Sequence, residues 1–92
     1  MPMVRVSNGG TAPEVSAISS GTGSVSFTCD IGSFFLVIIR RTNISVTANG
    51  ATLIETKIDP GQLGVWEYKA TSTSVTIQES AGTNAIEIIV FS

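Results

Sequence analysis

Apolar and polar side chains alternate with a period of two through most of this chain. The alternation is cleanest from Ser24 to Asp30, where Val25, Phe27 and Cys29 fall on one side and Ser24, Ser26 and Thr28 on the other. That is the pattern of a strand with one dry face and one wet face. Asn43 to Thr47 repeats it with Ile44 and Val46 inward, and Ala51 to Lys57, Val65 to Ala70, Ser74 to Glu79 and Ala85 to Phe91 continue the series. A short first strand is predicted over Met3 to Ser7, with Val4 and Val6 on one face. Glu14 to Ile18 carries a weaker strand pattern, and Ser19 to Gly23 reads as a loop rich in serine and glycine. Asn8-Gly9-Gly10, Asn49-Gly50 and Asp59-Pro60-Gly61 supply turn chemistry between these runs, because glycine and asparagine accept positive φ and proline presets the first turn angle.

One stretch breaks the alternation. Phe34 to Ile39 is uninterruptedly apolar, bounded by Gly32 on one side and Arg40-Arg41 on the other. A bilayer span needs about 20 residues as helix, so this run is far too short to cross a membrane. Its length and its aromatic and β-branched content predict a central strand covered on both faces. The brief link Asp30-Ile31-Gly32 predicts that it forms an antiparallel hairpin with the Ser24 to Asp30 strand. The fold class expected is all-β: an antiparallel β-sandwich, jelly-roll-like, of about eight short strands, forming a single domain over residues 1–92.

Composition supports that class. Valine and isoleucine supply twenty residues and threonine eleven, a β-branched content that suits pleated surfaces and crowds helices. Charged residues are 13% of the chain, against about a quarter in an ordinary soluble domain, so other copies of the chain are expected to cover part of the surface as a homo-oligomer. The formal net charge is -2 and the five basic residues are scattered, which leaves no cationic footprint for nucleic acid. The start of the sequence lacks the apolar core of a secretory signal and no stop-transfer segment follows. Synthesis in the cytoplasm without a signal peptide is expected, and membrane insertion is not. Cys29 is the single cysteine, so no intramolecular disulfide can form.

Candidate chemistry is sparse. The chain has no histidine, which removes the commonest general base, the familiar Ser-His and Cys-His pairs and the commonest zinc ligand. Cys29 reads as a small buried hydrophobe, and Asp30 and Asp59 as turn residues. No spacing brings any two of the seven carboxylates together, no calcium-loop pattern occurs, and Gly21-Thr22-Gly23 is followed by neither GxGxxG nor GKS/T. No enzyme activity, metal or cofactor is expected. Arg40-Arg41 most simply stops the apolar strand and holds its end at the surface. In Val65-Trp66-Glu67-Tyr68-Lys69, Glu67 and Lys69 share one face while Trp66 and Tyr68 share the other. The two aromatics read as a core pair; as the alternative they are the ligand-binding candidates, a platform for a sugar ring.

The segment Gly32 to Val46 passing into RRTNISV, then NGATLIE, VWEYKATSTSVTIQE and a terminal AIEIIVFS, resembles small jelly-roll or sandwich proteins encoded among the tail and host-attachment genes of tailed bacteriophages and prophages. The likeness covers Ser24 to Ser92. It implies a non-enzymatic, self-assembling structural or adhesion module of a virion, a homo-oligomer that contacts a bacterial surface glycan. It defines no ligand site. The competing reading is a monomeric carbohydrate-binding module using Trp66 and Tyr68.

Overall fold

The computed structural model describes residues 15–59 and 63–91. These form eight strands and no helix: β1 (Val15–Thr22), β2 (Ser24–Thr28), β3 (Phe34–Ile39), β4 (Val46–Asn49), β5 (Ala51–Asp59), β6 (Leu63–Ala70), β7 (Ser74–Glu79) and β8 (Ala85–Phe91). A five-stranded sheet in the order β1-β8-β3-β6-β5 faces a three-stranded sheet in the order β2-β7-β4, and every ladder is antiparallel. The expected Met3 to Ser7 strand and the turn at Pro60-Gly61 lie outside the described residues.

The pairings are nested. β1 pairs with β8, β2 with β7 and β3 with β6, so the first half of the chain runs back along the second half as one long ribbon. Folding that ribbon over itself sends β1, β3, β6 and β8 to one sheet and β2, β4 and β7 to the other, which is the jelly-roll wrap. β5 departs from it by joining the edge of β6 in the larger sheet.

This wrap corrects the predicted hairpin between the Ser24 to Asp30 strand and the apolar run. β2 lies at the edge of the small sheet, β3 at the centre of the large one, and they meet across the core. Strand limits shift as well. The presumed loop at Ser19 to Gly23 is mostly strand, since β1 continues to Thr22, and β4 begins only at Val46.

Corners between sheets need sharp backbone. Gly23 (φ 76°) links β1 to β2, and Gly50 (φ 91°) links β4 to β5. A side chain at either would meet backbone carbonyl oxygen, of Gly82 and of Ser74 respectively. Only glycine combines that φ with that closeness.

The inner faces follow the alternation read from sequence. Phe35, Val37 and Ile39 on β3, Trp66, Tyr68 and Ala70 on β6, and Ile86, Ile88 and Val90 on β8 meet Val25, Phe27, Val75 and Ile77 of the other sheet. Ile44, Val46 and Ala48 close one flank, half-buried. The expectation that β3 is covered on both faces is not met. Its inner residues are fully buried, but Phe34 is 45% exposed and Leu36 and Ile38 are half-buried on the outer face. Among the described residues nothing packs over that face as a second layer.

Candidate interaction surface

Glu79 is the one charged side chain buried among the described residues, at 5% exposure. It ends β7 on the core-facing side, where its carboxylate accepts hydrogen bonds from the backbone N–H of Ala81 (3.0 Å) and Asn84 (3.1 Å) and from Asn84 Nδ2 (2.9 Å). These bonds hold its pKa below the ordinary glutamate value, the Asn84 amide contributing most, against the opposing effect of burial. The carboxylate therefore organises the turn from β7 to β8. Asn84 extends the network: its Oδ1 accepts from Arg41 Nε (3.2 Å) and its backbone carbonyl from Gly23 N–H (2.9 Å). Among the described residues no buried side-chain polar atom lacks a hydrogen-bond partner, so this network reads as structural.

Beside it, the ends of β1, β8 and β3 leave a cleft of ≈ 390 Å³ lined by Ser20, Thr22, Ile38, Arg40, Asn84 and Glu87. Arg40 and Arg41 both lie just past the last residue of β3, exposed, as the strand-stopping reading expected. Arg40 borders this cleft while Arg41 is engaged with Asn84.

Trp66 and Tyr68 are 5% and 3% exposed and point into the core. The Tyr68 ring stacks on Phe35 with centroids 5.4 Å apart, and the Trp66 ring edge lies over Gly64, leaving no space there for a Cβ. Burial raises the pKa of the Tyr68 phenol. They form the core pair, and neither presents a face on which a sugar could stack, so the alternative platform reading is corrected by their burial. Alternation puts both aromatics on one side of β6 with the charged Glu67 and Lys69 on the other, and the aromatic side is the one that faces the core.

The carboxylates are mostly dispersed. Among the described residues two stand directly opposite on the outer sheet face, Glu55 of β5 and Glu67 of β6, and neither lines the cleft above. Among the described residues no group of three or more potential metal-ligating side chains gathers. Cys29 follows β2, half-buried against the core, with its thiol pKa raised by burial and by the neighbouring Asp30. A raised pKa leaves little thiolate, the nucleophilic form.

The outer face of the five-stranded sheet is chemically divided. Reading across the ladders, one row is Val15, Phe91, Phe34, Lys69 and Thr52, and the next is Ile18, Ile89, Leu36, Glu67 and Glu55. A third is Ser20, Glu87, Ile38, Val65 and Lys57. In these rows the β1, β8 and β3 side is apolar apart from Ser20 and Glu87, while β6 and β5 carry most of the charge. Lys69 Nζ sits 5.6 Å from the Phe34 ring centroid, at the border between the two halves. No local signal in the sequence located this patch, because it depends on which strands become neighbours.

Compared with known proteins, the chain matches no family model, no curated protein and no solved structure.

Proposed function

We propose that this chain is a non-enzymatic structural or adhesion module that assembles with copies of itself, and that it serves as a component of a phage or prophage virion in keeping with the resemblance carried by its Ser24 to Ser92 segment. The observation that supports self-assembly is the apolar half of the outer sheet face, where Ile18, Phe34, Leu36, Ile38, Ile89 and Phe91 lie side by side with no covering layer among the described residues. Contiguous apolar surface of this kind marks association sites, and its burial is worth about 25 cal/mol per Å². The low charge content acts in the same direction, since few ionic groups need desolvation when copies meet. Light scattering tests it. The expected result is a mass several times the 9.6 kDa of one chain, and a monomer from micromolar to millimolar concentration rejects it.

Contact with a surface glycan, with the aromatics turned inward, falls to the cleft of Ser20, Thr22, Arg40, Asn84 and Glu87. Hydroxyl, amide, guanidinium and carboxylate groups are the partners that sugar hydroxyls meet. Titration with bacterial surface polysaccharides, followed by amide chemical shifts, should move those residues; shifts confined elsewhere or none at all reject this assignment.

A further inference from the structure

We propose that two copies join through the outer edge of β1, antiparallel to each other across a two-fold axis, so that their five-stranded sheets continue into one. The proposal rests on the self-assembly reading and names its contact. A sheet edge exposes unpaired N–H and C=O groups, and proteins that stay single blunt such edges with bulges, charges or short strands. The other edges among the described residues have these devices. β5 carries a register break between Leu53 and Glu55 together with exposed Glu55 and Lys57, while β2 and β4 are only five and four residues long. β1 has eight residues, no charge and no proline, and its one irregularity is at its start, between Val15 and Ala17. From Ala17 to Thr22 it runs in unbroken register with β8.

The occupant that fits is a second β1. Residues opposite each other in an antiparallel pair share a face, so outer-face Ile18, Ser20 and Thr22 would meet the same residues of the copy, and Ala17, Ser19 and Gly21 likewise. No like charges confront each other at any register, because the strand has none. An isologous contact requires this kind of self-match. Ile18, 72% exposed in one chain, would gain apolar neighbours, and the two apolar half-faces would become one continuous strip.

Ala17 is exposed on the inner-facing side of β1, so a lysine there places a charge at the edge without entering the core. Ala17→Lys and Ser19→Lys are each expected to halve the mass seen by light scattering, with the far-ultraviolet strand signal and the shielding of Trp66 retained. Thr52→Lys on β5 should leave the mass unchanged. In the wild type, amides 17–22 should gain hydrogen-exchange protection as concentration rises. If the wild type assembles but both β1 variants keep its mass, the edge assignment is overturned while self-assembly stands. If Val4→Lys/Val6→Lys dissolves the assembly and Ala17→Lys does not, residues 3–7 rather than β1 carry the contact, which also overturns it. A monomeric wild type overturns both.

Discussion

The ring of Phe27 meets the ring of Phe35 edge-on, with centroids 5.1 Å apart and planes at 81°. The two residues are near in sequence yet belong to opposite sheets, and Phe35 also stacks on Tyr68 within its own sheet. Phe35 thus links both layers. Phe35→Ala should cost about 3–5 kcal/mol, a large part of the roughly 5–15 kcal/mol available to a small domain. Urea unfolding followed by Trp66 fluorescence measures it; a loss below about 1 kcal/mol would mean the ring is not a keystone of the core.

Glu79 makes stability depend on acid. Its folded pKa lies below the ordinary value near 4.5, so the folded chain holds the proton less tightly than the unfolded one. The resulting stabilisation is complete above 4.5 and is lost as pH falls through the lower folded value. Glu79→Gln should lower the urea midpoint at pH 7 and flatten its decline on acidification. A variant that declines as steeply as the wild type would place the acid sensitivity in another carboxylate.

Gly50→Ala should destabilise by at least about 2 kcal/mol, since a left-handed alanine alone costs roughly 1–2 kcal/mol and its Cβ would also press on the Ser74 carbonyl. Thermal unfolding is a sufficient readout. A neutral substitution would show that the β4 to β5 corner can relax.

The contact of Trp66 with Gly64 predicts two results together. Acrylamide should quench Trp66 poorly, and Gly64→Ala should cost about 1–3 kcal/mol by pushing the indole ring while increasing that quenching. Efficient quenching in the wild type would contradict the burial of the ring.

On the outer face, Glu67 and Glu55 face each other across the β5–β6 ladder. Like charges in directly opposed positions are unfavourable, so Glu67→Gln should raise stability by about 0.2–1 kcal/mol, most at low salt. A loss of stability instead would show that Glu67 is engaged in a favourable contact that outweighs the repulsion.

The sequence revealed strands better than it revealed neighbours. Val25 and Phe27, and Trp66 with Tyr68, take the inward side that period-two alternation indicates, because that signal is local. Pairing is not local. The short link after Asp30 suggested a hairpin, but in a jelly roll such links cross between sheets and the true partners lie far apart in sequence. The six apolar residues of β3 correctly marked the centre of a sheet, yet their outward members overstated the cover that one chain supplies. The role of Glu79 had no sequence signature, since its donors are set by the fold of the turn that follows it.

Nesting of β1 with β8 and of β2 with β7 carries a kinetic implication. β8 follows β1 to β7 in the chain, so a nascent chain holds β1 without its mate until β8 emerges. Closure of such distant pairs is slow, on the order of milliseconds to seconds for β topologies of this kind. During that interval the uncharged β1 is available to any other newly made copy beside it.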